Sequence, residues 1–215
     1  MTEKQLKIWL VAYIGFGILF MAVETVAPFD FDWIIKATPI FLLIYFCHVS
    51  LSGNIRVFMM LALTCSVTGD ILLSMDNLFL PGLGAFLLAQ VIYTCIFFTV
   101  FSFTKKGFLW ALLVLAYMVI AAMFIIPKAG DFLVPVIAYM IAISLMAIAA
   151  GFRKDPHFMF VAMGAFIFMS SDTFIAINKF VIPFDGAPYA IMITYYAAQL
   201  MICFGIVRHQ NLSIR

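Results

Sequence analysis

Apolar runs of about 18–23 residues, cut short by Gly, Pro, Asn and charged residues, follow one another along the whole chain. Eight can be marked, at roughly 7–24, 33–51, 55–75, 79–101, 107–126, 132–151, 158–178 and 188–207. As helices rising 1.5 Å per residue, each is long enough to cross about 30 Å of hydrocarbon. The breaks fall at Pro28 with Asp30 and Asp32, at Ser52-Gly53-Asn54, at Asp76-Asn77, at Lys105-Lys106-Gly107, between Pro127 and Asp131, between Arg153 and Pro156, and between Pro183 and Pro188. Lipid cannot pair backbone groups, so runs of this length must be helices rather than strands. The pattern predicts an all-α polytopic membrane protein of eight transmembrane helices. No linker is long enough for a second domain, so residues 1–215 are expected to form a single integral membrane domain.

The charges between the runs set an orientation. Lys4, Lys7, Arg56, Lys105, Lys106, Arg153, Lys154, Arg208 and Arg215 fall on one side, and Lys36, Lys128 and Lys179 on the other. This bias places both termini in the cytoplasm. The acids split the other way, with only Glu3 and Asp155 on the inner side. Thr-Gly-Asp-Ile-Leu-Leu-Ser-Met around Asp70, with Leu-Ala-Gln at 88–90, is echoed by Ser-Ser-Asp-Thr-Phe-Ile-Ala-Ile around Asp172, with Ala-Ala-Gln at 197–199. That echo predicts two parallel four-helix repeats, related by an axis along the membrane normal.

Composition excludes the soluble classes. The chain is 67% hydrophobic and 10% charged, with 25 Phe, against roughly 45–50% and 25% in soluble domains. A net charge of +2 without a basic run gives no reason to expect nucleic acid as a partner. The four cysteines, Cys47, Cys65, Cys95 and Cys203, lie inside apolar runs without metal or redox spacing and read as small core residues. The amino-terminal run has no small-x-small cleavage site where a signal peptide needs one, and is expected to be retained as the first span.

Two residues do not fit a purely structural span. Asp70 and Asp172 lie inside apolar runs, where a charge costs at least ~2.5 kcal/mol and marks a functional site by default. Counted from Arg56, Asp70 lies about 21 Å along its helix, and Asp172 lies at a similar distance beyond His157. Both are therefore expected at one level in the non-cytoplasmic third. Two carboxyl groups in a low-dielectric site do not both ionise easily, so one keeps its proton, which yields an acid and a base. Their plain alternative is helix capping or bonding to a neighbouring backbone. Lys36 either pairs with a carboxylate or meets a phosphate, unless it only snorkels at a span end. Lys179 carries the same alternatives. Tyr139, Tyr195 and Gln199 are candidates to line the site and orient water or substrate. Asn178 joins the candidate substrate-binding set, with local helix bonding as its alternative. Gln90, costly in lipid, should face inward. His48, His157 and His209 lie near the cytoplasmic ends, far from the acids, so neither a metal nor any other cofactor is expected.

These residues resemble the YhhN-like family of integral membrane proteins, which includes the lysoplasmalogenases. The matching pieces are Lys36 with Pro39, Gly69-Asp70 with Leu72-Leu73, Gly82 to Phe86 with Tyr93, Ser171-Asp172 with Ala176 and Phe180, and Tyr195-Tyr196-Ala197-Ala198-Gln199. The resemblance implies hydrolysis of the vinyl ether of a lysoplasmalogen, a lysophospholipid substrate, to a fatty aldehyde and a glycerophospho-base. Vinyl ether hydrolysis needs protonation on carbon, an anion to steady the oxocarbenium ion and a base to deliver water. It requires no nucleophile, metal or nucleotide, and the chain carries no G-x-S-x-G, P-loop or H-E-x-x-H motif. The expected setting is a multi-pass protein of a bacterial inner membrane, among membrane lipids. Paired repeats with intramembrane acids also describe a proton-coupled transporter, which is the alternative; against it, no Gly- or Pro-broken helix flanks the acids.

Overall fold

The computed structural model describes residues 1–26 and 32–213. Pro28, Asp30, the side chain of Asp32 and Arg215 lie outside what is described. Eight α-helices follow one another: α1 (Glu3–Val26), α2 (Asp32–Ser50), α3 (Gly53–Leu73), α4 (Phe79–Phe98), α5 (Lys105–Ile125), α6 (Leu133–Gly151), α7 (Phe158–Ala176) and α8 (Ala187–Ser213). Among the described residues, eight helices are long and apolar enough to cross a membrane, as the hydropathy pattern predicts. Two short 3₁₀ turns, Ile126–Lys128 and Gly130–Phe132, link α5 to α6, and a π-helical turn, Ile177–Val181, extends α7.

The chain falls into two compact units, Met1–Ala89 and Gln90–Arg215. The division lies inside α4. From Gln90 onward α4 turns its polar side chains to α7 and α8, and its last turn meets the loop after α6.

In the first unit α1 packs on α2 and α2 on α3. Trp9 of α1 stacks on Phe46 at 4.7 Å and donates its indole N–H to the Leu42 carbonyl at 2.9 Å, so its polar atom is satisfied where α2 is least polar. The connection from α2 to α3 is almost without loop, and Gly53, at φ +59°, supplies the left-handed backbone that so sharp a reversal requires. Gly69 leaves room for the Phe86 ring of α4, which any Cβ there would run into. This close approach sits directly beside Asp70.

In the second unit α5 packs on α6, α6 on α7, and α7 most extensively on α8. That last seam is built from small residues. A Cβ on Gly164 would meet the Ala198 carbonyl oxygen at 3.0 Å, and one on Gly205 would meet Val161. Van der Waals packing through small residues is what drives helix association where lipid removes the hydrophobic difference. Thr104 caps α5 by accepting from the Gly107 N–H at 3.0 Å. The outward faces carry large apolar residues, among them Val11, Ile18, Leu112, Val119 and Met123, as a lipid-facing surface requires. Cys47 and Cys203 are buried as expected, whereas Cys95 points outward into that surface, and none forms a disulfide.

Candidate active site

In the first unit Asp70 lies three residues before the end of α3 and is buried. Lys36, in the first turns of α2, reaches across to it. Its Nζ lies 3.6 Å from Asp70 Oδ1, donates to Ser74 Oγ at 3.0 Å and to the Asp70 carbonyl oxygen at 3.4 Å. Ser74 Oγ donates back to that same carbonyl at 3.0 Å. The ammonium is thus seated on the carbonyl end of α3, where the helix dipole favours a cation, as well as beside the carboxylate. Of the two readings open for Lys36, the geometry realises pairing with a carboxylate.

In the second unit Asp172 lies four residues before the end of α7 and is also buried. Its Oδ2 accepts two hydrogen bonds from different helices: a short one from Tyr139 Oη on α6 and one at 3.3 Å from Gln90 Nε2 on α4. Both donors are uncharged. The hydroxyl neighbours of Asp172 take no share. Thr173 and Ser170 bond carbonyls one turn back on α7, while Ser171 Oγ crosses to the Ile191 carbonyl of α8 at 2.8 Å.

One turn along α4 from Gln90, Tyr93 Oη donates to Gln199 Oε1 on α8 at 2.7 Å. Gln90, Tyr93 and Gln199 are completely buried. Gln90 Oε1 and Gln199 Nε2 have no hydrogen-bond partner among the described residues, and a buried polar atom left in that state requires a reason. Tyr195 is buried on α8, with its ring edge-to-face on Phe168 at 5.7 Å and tilted against Tyr196 at 5.8 Å.

Of the residues singled out in the sequence, the second unit therefore brings Asp172 and Tyr139 into direct contact and places Gln199 in a buried pair with Tyr93. Asn178 lies in the π-helical turn and accepts from the Phe184 N–H at 3.2 Å, which secures the chain's exit from α7. Lys179 is exposed, with its ammonium 5.8 Å over the Phe132 ring. Gln90 was legible as an inward-facing amide and as part of the Leu-Ala-Gln echo, and Tyr93 only as part of a family resemblance. The signal that unites them is their spacing of three on α4, which puts both on one face. Among the described residues no three His, Cys, Asp or Glu side chains gather as a metal site would require.

With this geometry in hand, comparison with known proteins places the chain. The YhhN family profile matches residues 31–206, most of the chain. The chain is 34% identical to human "Lysoplasmalogenase TMEM86B" over 182 residues, covering 83% of this chain and 76% of that protein. It is 28% identical to the pig protein of the same name, covering 84% and 77%. It is 30% identical to the Mycobacterium bovis "Lysoplasmalogenase", covering 71% and 61%. No solved structure matches it.

Proposed function

This chain belongs to the YhhN family, and we propose that it is a lysoplasmalogenase, a membrane-embedded hydrolase of the vinyl ether bond of lysoplasmalogens. The reaction adds water across an enol ether. A proton goes to the alkenyl carbon one removed from the ether oxygen, and the resulting oxocarbenium ion takes water at the carbon bonded to oxygen. The hemiacetal then collapses to a fatty aldehyde and the glycerol hydroxyl of a glycerophospho-base. Two carboxyl groups suffice, one to give the first proton and one to steady the cation and take a proton from water. We assign these tasks to Asp70 and Asp172. Tyr139 and Gln199 orient groups around Asp172, Tyr195 lines the site, and Lys36 tunes Asp70.

The observation that carries this reading is a buried carboxylate, Asp172, held by neutral donors, in a chain similar to named lysoplasmalogenases. The test is purified protein in detergent with a lysoplasmalogen, following aldehyde release. Wild type should release aldehyde, and a wild type that does not would end this reading.

The finer placement follows from charge. The lysine and arginine bias supports cytoplasmic termini in a bacterial inner membrane and entry of the lysolipid from the non-cytoplasmic leaflet, its phosphate near Lys179, while the short connections between spans support a single membrane domain. An Asp76→Cys variant in a background without native cysteines should then react with an impermeant thiol reagent added from outside. Labelling only after the membrane is opened would reverse the access route.

A further inference from the structure

We infer that Gln90 holds the attacking water of this reaction, an inference that rests on the hydrolase reading above. Gln90 sits at 0% exposure in the middle of α4. A primary amide at such a position is costly unless all its groups are used. One side is used, because Nε2 donates to Asp172 Oδ2. The orientation of the amide follows from its partner. Asp172 Oδ2 already accepts from Tyr139, so turning the amide over would set two acceptor oxygens against each other. The carbonyl oxygen is therefore fixed on the same amide as the nitrogen that meets the carboxylate, and it has no partner among the described residues.

An amide carbonyl fixed next to a carboxylate is a seat for a water molecule. The water gives one O–H to Gln90 Oε1 and the other to the Asp172 carboxylate, which leaves an oxygen lone pair directed away from both acceptors. When the oxocarbenium ion forms, that lone pair makes the new C–O bond and the proton on the Asp172 side passes to the carboxylate. The product is the neutral hemiacetal, and water is the only co-reactant. Tyr139 has a different task. It holds the carboxylate from α6, so that the seat and the base move together.

The experiment is turnover of a lysoplasmalogen in detergent with added methanol, which competes with water for the oxocarbenium ion and gives a mixed acetal in place of aldehyde. Wild type should give almost only aldehyde. Gln90→Ala should lower kcat by about 10–100-fold, as expected when a reacting group loses its positioning, with KM within about threefold because Gln90 does not bind the lipid. It should also raise the acetal fraction severalfold, which a merely structural defect would not do. If Gln90→Ala does not fold, as judged by thermal melting in detergent, Gln90→Met keeps the volume without the amide and carries the same expectation. Gln90→Ala or Gln90→Met with kcat within threefold of wild type and an unchanged acetal fraction would overturn the inference alone. Absence of aldehyde from wild type would instead overturn the reading it rests on.

Discussion

The second unit buries two aspartates, and they are handled in opposite ways. Asp155, in the connection from α6 to α7, meets Arg153 Nε at 2.9 Å and accepts the His157 N–H at 2.7 Å. Arg153 also donates to the Ile96 carbonyl at 3.4 Å and lies 5.7 Å over the Phe97 ring. Around them the loops after α4 and α6 are stitched by two backbone bonds, Ser102 N–H to Phe152 and Lys154 N–H to Val100. Burial pushes the Arg153 guanidinium below its ordinary pKa, and Asp155 pulls it back up. Charge answers charge there, and the pair is a fixture. Asp172 has neutral donors on one oxygen and lies next to an amide atom that is unused among the described residues. A carboxylate in close contact with a buried guanidinium is held to its charge, whereas the phenol and the amide on Asp172 Oδ2 bring no charge of their own. The difference separates a buried acid that fastens loops from one suited to chemistry.

The sharpest way to break this comparison is to remove each acid's ability to carry charge. Asp172→Asn and Asp70→Asn keep shape, and each should lower turnover by at least about 100-fold, the range of a proton-transfer group, with melting temperature little changed. Asp155→Asn should do the reverse, costing stability and leaving the kcat of the folded fraction near wild type. A tenth or more of wild-type rate in Asp172→Asn would put that residue on the Asp155 side of the divide.

From the other partner, Arg153→Met strands Asp155 in a buried place. Breaking one side of such a pair costs roughly 3–5 kcal/mol, read as a large fall in melting temperature or in yield of folded protein. Tyr139→Phe should fold normally and lower kcat about tenfold, since one of two donors to the Asp172 carboxylate remains. A Tyr139→Phe enzyme with wild-type kcat would show that the α6 contact is packing only.

How much of this was legible in the chain depends on what the physics of lipid exposes. The eight helices were, because uninterrupted apolar length is a requirement of the bilayer and nothing else in the chain imitates it. Asp70 and Asp172 stood out for the same reason. Arg153 did not, since a charge at a span end looks like any interfacial charge, and only the meeting of two loops decides that it is buried. Asn178 and Lys179 are near Asp172 in sequence, but the π-helical turn after Ala176 alters the 3.6-residue register that such spacing assumes. Asn178 consequently turns to the Phe184 backbone. The pairing of Gln90 with Asp172 joins residues 82 positions apart, and hydropathy carries no information about which buried amide meets which acid.

Lys36 gives the smallest expected effect and the finest test, because its pairing with Asp70 lies between the two extremes. It is a cation on a carboxylate, as at Asp155, but the approach is longer, 3.6 Å against 2.9 Å, and its side chain is 16% exposed where that of Arg153 is 2%. A longer, wetter pair holds its acid less firmly and contributes less to stability than the Arg153–Asp155 pair. Lys36→Met should therefore cost little in melting temperature. Its Nζ is already engaged by three oxygens at the end of α3, all on Asp70 or Ser74, so the loss should fall on Asp70 rather than on lipid binding. The expected outcome is a drop in kcat of severalfold with KM within about twofold, and a shifted pH profile of kcat, because the charge beside a proton-transfer group has changed. A rise in KM at constant kcat, removed by Lys36→Arg, would move Lys36 from the acid to the phosphate of the substrate. A collapse in melting temperature would instead make the pair a second fixture of the Asp155 kind, and the chemistry would then have to rest on Asp172 alone.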